Sequence, residues 1–216
     1  MKFMLIFIVI VIAYLIGSIP TAVWLGRYFH NVDIRDFGSG NAGATNTFRI
    51  LGKKLGWIVL ICDVSKGILA STLPFFLQFF FSSFFLGYKD EVLILQLCAS
   101  FTAVIGHVFP LFANFRGGKG VATSLGIIFG VNPFAAAICV AIFLIVFFAF
   151  RFVSLGAITS ALAFPFISYF GLHQDARIMI VFTIVLSVLV IIAHRNNFAR
   201  LLNGNENKID IRKKRV

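Results

Sequence analysis

Residues 121–150 read V-A-T-S-L-G-I-I-F-G-V-N-P-F-A-A-A-I-C-V-A-I-F-L-I-V-F-F-A-F, thirty residues without a single charge. A helix crossing about 30 Å of hydrocarbon needs about 20 residues, so this run is one overlong span or two. Asn132-Pro133 lies inside it. That dipeptide is a turn signal, and proline is also tolerated in the first turn of a new helix.

Five further apolar runs flank it, at about 4–25, 55–81, 92–111, 152–170 and 177–194. The charges between the runs decide the count. With two crossings in 121–150 there are seven spans, and one face collects Arg27, Arg35, Arg49, Lys53, Lys54, Arg116, Lys119, Arg151, Arg195, Arg200, Lys208, Arg212, Lys213, Lys214 and Arg215. The other face keeps Lys2, Lys89 and Arg177. Acidic residues divide as Asp33, Asp36, Glu206 and Asp210 against Asp90, Glu91 and Asp175, so the two faces carry net charges of +11 and zero. A single crossing would move Arg151 and the basic tail to the other side and erase the bias, which the positive-inside rule disfavours. The expected fold is therefore an all-α polytopic membrane protein over 1–216, a single domain with seven transmembrane helices, N-terminus outside and C-terminus cytoplasmic. The fourth and fifth spans are expected at 118–131 and 133–150. A fourth span of 14 residues covers only about 21 Å. The loop feeding it must dip below the headgroups, where irregular backbone is tolerated only if it is packed in protein or lines a wet cavity.

Composition agrees. Of 216 residues, 60% are hydrophobic and 12% charged, with 28 phenylalanines and a mean hydropathy of +0.98, more apolar surface than one soluble core of this size hides. The net charge of +11 then reads as asymmetry across a bilayer and not as a nucleic-acid surface. Cys62, Cys98 and Cys139 stand singly in apolar runs and form no C-x-x-C or metal spacing, so they read as packing residues. The first apolar run offers no A-x-A cleavage site and is expected as a retained span.

Polar residues suited to chemistry gather in three segments on the basic face. The first runs from Gly38 to Arg49. Gly38, Gly40 and Gly43 let backbone N–H groups converge on an anion, Ser39, Asn41, Thr45 and Asn46 add donors, and Arg49 adds a charged fork. A flexible polar connector is the alternative. The second joins Gly106-His107-Val108-Phe109-Pro110 to Phe115-Arg116-Gly117-Gly118-Lys119-Gly120. Three glycines and an ammonium directly before a helix combine a backbone nest with a helix N-terminus, both suited to phosphate or carboxylate. The spacing is not that of a Walker A loop. A basic anchor flanked by turns is the alternative. His107 reads as a hydrogen-bonded pocket wall or a ligand contact. The third segment is 194–206, where His194 and Asn197 lie one helical turn apart. His194 is open to proton transfer, to phosphate binding, or to a plain helix-end role. Asp63 and Lys66, one turn apart inside the second span, read as an ion pair supporting the site.

Taken together the segments resemble the bacterial acyl-phosphate:glycerol-3-phosphate acyltransferase family, PlsY. The likeness rests on S-G-N-A-G-A-T-N-T-F-R at 39–49, D-V-S-K-G at 63–67, G-H-V-F-P at 106–110, F-R-G-G-K-G-V-A-T at 115–123 and H-R-N-N-F-A-R-L-L-N-G-N-E-N-K at 194–208. Ala42 and Asn205 depart from the proline and threonine common there. The resemblance implies transfer of a fatty acyl group from acyl phosphate to the 1-hydroxyl of sn-glycerol 3-phosphate, giving 1-acylglycerol 3-phosphate and phosphate. It implies a site on the cytoplasmic side of a bacterial cytoplasmic membrane, no cofactor or metal, and supply of acyl phosphate by a peripheral synthase. Its important positions fall on Ser39, Arg49, Lys119, His194 and Asn197. The resemblance implies that the two glycine loops bind phosphates, so Gly40, Asn41, Gly43, Thr45, Asn46, Gly117, Gly118 and Gly120, with His107 beside them, are expected to bind substrate, supported by Asp63 and Lys66. The chain also lacks the H-x-x-x-x-D of thioester-dependent acyltransferases and any G-x-S-x-G elbow, which suits a donor that is already an activated mixed anhydride. A transporter or flippase for a phosphorylated solute is the rival reading, weakened by the absence of internal repeats.

Overall fold

The computed structural model describes residues 2–80, 89–171 and 177–209. Phe81, Asp175, Asp210, Arg212, Lys213, Lys214 and Arg215, which enter the expected span boundaries or the charge division, lie outside the described residues. Among the described residues every regular element is helical. The chain divides into two compact units, Met1–Pro133 and Phe134–Val216.

The first unit contains α1 (Lys2–Gly17), α2 (Thr21–His30), α3 (Ala44–Ile50), α4 (Lys53–Phe80), α5 (Lys89–Val108) and α6 (Val121–Val131). Single 3-10 turns at Ile34–Asp36 and Leu111–Ala113 precede α3 and α6. Helices α1, α4 and α5 pack on one another and α4 also packs on α6, with small residues at the closest approaches. Val9 and Ala13 of α1, Ala70 of α4, and Val92, Leu95, Ala99 and Ala103 of α5 form one buried cluster. Where α4 crosses α6, a Cβ on Gly67 would collide with the Thr123 carbonyl and one on Gly126 with the Val64 carbonyl. Apolar side chains gain nothing by leaving lipid tails for one another, so close backbone approach through glycine and alanine supplies the packing.

The second unit contains α7 (residues 134–150 of the helix Pro133–Phe150), α8 (Val153–Phe166) continuing into a π-helical turn at Ile167–Gly171, α9 (Arg177–Ala193) and α10 (Arg195–Leu202). Ser160 donates to the Cys139 carbonyl at 2.7 Å and Ser187 to the Ala161 carbonyl at 2.6 Å. Both are hydroxyls of an apolar helix finding a backbone acceptor on a neighbour.

Two of the expected spans differ in detail from the helices that build them. The run 4–25 is not one uninterrupted helix: it breaks at Ser18-Ile19-Pro20 and resumes as α2, which continues to His30. Pro20 has no N–H to give and disfavours helical backbone at Ile19. The fourth apolar helix is shorter than 118–131, since Gly118 and Lys119 are loop and Gly120, at φ +76°, caps α6. Its 11 residues cover only about 17 Å. The break at Asn132 stands where the sequence places it, with Asn132 extended and Pro133 opening the next helix. Among the described residues, five helical stretches are long and apolar enough to cross a bilayer, and α9 with α10, bent by 61°, makes a sixth.

Candidate active site

The segment 33–49 is built around Asn46, 1% exposed on α3. Its amide donates to the carbonyls of Ile34 and Phe37, each at 3.0 Å, and its Oδ1 accepts the Ser39 N–H at 3.0 Å. The sequence suggests Asn46 as an anion donor. Both of its N–H groups are instead spent on shaping the loop. Gly38 and Gly40 take positive φ (63° and 68°), and the Gly40 N–H closes onto the Phe37 carbonyl. The turn leaves Ser39 and Gly40 exposed. Asn41, Gly43, Thr45 and Arg49 are half-buried, with Gly43 at the N-cap of α3 and Arg49 in its last turn.

The second glycine loop follows α5. Asn114 and Phe115 both adopt left-handed backbone (φ 53° and 56°), a costly conformation for a bulky aromatic residue. The Gly117 N–H then bonds to the Val108 carbonyl and the Gly118 N–H to the His107 carbonyl, each at 3.1 Å. These amides satisfy the open C-terminal end of α5 and do not point to a ligand. Beyond these amides lie the half-buried Lys119 and, after Gly120, the first turn of α6.

Both loops are tied to fixed groups. The break after Gly17 exposes backbone carbonyls, and Lys66 Nζ, on α4, donates to those of Ile19 (2.9 Å) and Gly17 (3.4 Å). Asp63 Oδ1 balances the ammonium at 2.7 Å, and His107 Nδ1 lies 3.3 Å from Nζ. An ammonium only donates, so Nδ1 accepts and the ring proton belongs on Nε2, the edge packed so closely against Gly118 that a Cβ there would overlap it. All three side chains are buried. A cavity of about 10 Å³ opens between them and Thr21, Ala42, Pro110, Gly117 and Gly118, room for about one water and no more.

The other tie is Arg35. Its guanidinium donates to Asp33 through Nε (2.9 Å) and Nη2 (2.7 Å), and its Nη1 reaches the carbonyls of Ala113 (2.7 Å) and Arg116 (3.1 Å). The Arg35 side-chain hydrogen bonds, opposed by burial and aided by the Arg35 backbone N–H and by Arg27, hold the Asp33 carboxyl far below the usual carboxylate range. The same partnership raises Arg35 further.

In the second unit His194 caps α10 at the bend from α9, almost wholly buried, with Nδ1 2.8 Å from the Val190 carbonyl. A carbonyl only accepts, so Nδ1 carries a proton and Nε2 is the basic nitrogen of the neutral ring. Asn197, also buried, donates to Glu206 Oε1 at 2.8 Å. Ser154 Oγ donates to the same oxygen at 3.0 Å and Arg200 Nε to Oε2 at 2.8 Å. Burial pushes the Glu206 carboxyl up, but these hydrogen bonds outweigh it and its pKa is lowered.

Sequence reasoning missed Asp33 and Arg35 as the tie between the loops of the first unit, and Ser154 and Glu206 as partners around Asn197 in the second. Arg35 bonds backbone carbonyls 78 and 81 residues away, and no spacing pattern marks such a partner. Glu206 lies in the segment 194–206, and its signal was an acid set in a basic tail.

A family model described as glycerol-3-phosphate acyltransferase matches residues 7–204. A glycerol-3-phosphate acyltransferase of Fusobacterium nucleatum is 43% identical over 202 residues, covering 94% of this chain and 97% of the relative. One from Listeria monocytogenes is 44% identical over 198 residues, covering 92% and 93%. This chain belongs to the glycerol-3-phosphate acyltransferase family. Crystal structures of PlsY, an integral membrane glycerol 3-phosphate acyltransferase, superpose on it closely. The glycerol 3-phosphate form has a TM-score of 0.83 at 33% identity, covering 95% of this chain and 96% of that one. The lysophosphatidic acid form has a TM-score of 0.79 at 31% identity and covers 95% of each. With its apolar helices, the family member described here is a multi-span integral membrane protein. The family match spans both glycine loops and the bend at His194, and it leaves the transporter alternative without support.

Proposed function

We propose that the protein moves a fatty acyl group from acyl phosphate to the 1-hydroxyl of sn-glycerol 3-phosphate, releasing phosphate and 1-acylglycerol 3-phosphate. The observation that carries this reading is the Arg35 fork, which holds the loop bearing Ser39 beside the loop bearing Lys119. Two anion-suited loops held together match a reaction in which both substrates carry a phosphate. The relatives share the acceptor in their names, and the PlsY structures contain glycerol 3-phosphate and lysophosphatidic acid.

Lys119 with the first turn of α6 holds one phosphate, and Arg49 with Ser39, Gly40, Asn41, Gly43 and Thr45 holds the other. Asn46, Gly117 and Gly118 contribute by fixing the loops. The acceptor oxygen attacks the carbonyl carbon of the anhydride, the oxyanion is stabilised by the neighbouring donors, and the carbon–oxygen bond to phosphate breaks. The hydroxyl proton goes to a phosphate oxygen of the donor or to His194 Nε2. His194 and Asn197 enter through the family resemblance, as residues orienting the hydroxyl. In the bilayer α1 with α2, α4, α5, the short α6, α7, α8, and α9 with α10 make seven crossings. The N-terminus lies outside and the site faces the cytoplasm of a bacterial cell, where a peripheral synthase supplies acyl phosphate.

The test is purified protein in detergent with acyl phosphate and labelled glycerol 3-phosphate, against acyl-CoA and acyl carrier protein as donors. Lysophosphatidate forms with acyl phosphate alone; a protein that forms none under any donor is not this enzyme. Lys119→Ala lowers turnover strongly, and a near-normal rate removes Lys119 from the site. Substantial kcat kept by His194→Ala at saturating substrates excludes His194 as an obligatory base, and loss mainly in KM marks a binder.

A further inference from the structure

We infer that Arg35 is a positioning residue for the lysine loop, acting on the reaction through Lys119. The inference rests on the reading that this loop binds a substrate phosphate. Arg35 stands outside the segment 38–49, and its side chain is only 8% exposed. Its four side-chain hydrogen bonds divide evenly, two to Asp33 and two to backbone carbonyls of the other loop.

The placement of those carbonyls carries the argument. Ala113 and Arg116 bracket Asn114 and Phe115, the two left-handed residues, so one planar cation grips the strained pair from both ends. Backbone held in such a conformation persists only where its surroundings over-determine it. Lys119 follows three residues after the second gripped carbonyl. The fork is itself aimed: Asp33 accepts from Nε and Nη2 and also from the Arg35 backbone N–H at 3.0 Å, while Arg27 Nη2 steadies the same carboxylate at 3.0 Å. Nη1 is thereby left directed at the two carbonyls. A lysine at 35 keeps the charge and three donors on one atom but lacks the rigid planar fork, which sets Nε and Nη2 on Asp33 while Nη1 reaches the two carbonyls.

One arm of the test needs no activity. Spin labels are placed at the exposed positions 36 and 116 (Asp36→Cys, Arg116→Cys) in a chain with Cys62→Ser, Cys98→Ser and Cys139→Ala. Their distance distribution by electron paramagnetic resonance is narrow with Arg35 and broad with Arg35→Gln. An unchanged width overturns the inference.

The second arm is kinetic. Arg35→Gln lowers kcat/KM by roughly 10- to 100-fold, as a misplaced group does. Arg35→Lys fails to restore it, and Arg35→Gln with Lys119→Ala loses no more than Lys119→Ala alone, because both act at one point. Additive losses, or full activity with lysine, overturn the inference. If Arg35→Gln does not survive purification, Asp33→Asn unaims the fork while keeping the guanidinium, and the same broadening and non-additivity are expected. Wild-type protein that forms no lysophosphatidate sinks the acyl-transfer reading and leaves the spin-label arm to decide Arg35.

Discussion

Asp63 and Glu206 perform similar tasks in opposite settings. Asp63, 3% exposed within α4, meets Lys66 one turn along the same helix, and the ammonium shares its three N–H groups among that carboxylate, the Gly17 and Ile19 carbonyls and His107. Glu206, 8% exposed in the tail after α10, meets Arg200, which is 37% exposed, and gathers Ser154 and Asn197. The first group is a closed ion pair within a helix long and apolar enough to span. The second is a carboxylate whose counter-cation touches water. Depth determines what each costs to break, because a charge stranded in a span has no solvent to fall back on.

The largest effect is expected at Lys66. Lys66→Met strands the Asp63 carboxylate and is expected to cost about 3–5 kcal/mol, measured by equilibrium unfolding in mixed micelles. Adding Asp63→Asn should recover most of that loss. A small loss in the single variant would mean that the pair is not sealed from water. Glu206→Gln keeps the shape of the second hub and removes its charge, so a smaller loss of about 1–2 kcal/mol is expected in the same assay. Equal losses in the two proteins would erase the distinction drawn from depth.

Acid sharpens it further. The Glu206 pKa lies below its ordinary 4.5 in the folded protein, so its contribution is fully present above about pH 4.5 and is lost as pH falls through the lower folded value. Asp33 follows with the same sign at still lower pH. Thermal midpoints read from pH 6 downward should fall below about pH 4.5, with a shallower fall for Glu206→Gln; parallel curves would remove Glu206 as the titrating group. The smallest effect is expected from Arg27→Gln, whose side chain is 60% exposed and whose share of Asp33 is secondary to that of Arg35. A change within about 0.5 kcal/mol is expected, and a larger one would show that Arg27 itself aims the fork.

Much of the fold can be read along the chain. The break inside 121–150 follows from Asn132-Pro133, and the shortness of α6 follows from the glycines before it. Both are local properties of backbone and side-chain entropy. The break at Pro20 was equally present in the sequence, but an unbroken apolar run masked it. Its functional meaning required Lys66, which lies 47 positions from Ile19 and takes up that carbonyl. The candidate site was legible as residue types and only partly as roles. Ser39, Arg49, Lys119, His194 and Asn197 stand out as polar groups in an apolar chain. That Asn46, Gly117 and Gly118 are occupied in holding loops shows only once their partners are seen.

The sequence by itself determined that this is a chain of apolar helices with its cations gathered between particular spans, and its motifs pointed to the family. Hydropathy and charge are sums over neighbouring residues, and a bilayer responds to those sums. The tertiary structure alone decided which partners hold the loop donors in place. Each buried N–H and C=O must find a partner wherever the fold brings one. Arg35 meeting Ala113 and Arg116, or Glu206 meeting Ser154 and Asn197, is therefore a property of folded space that no spacing along the chain records.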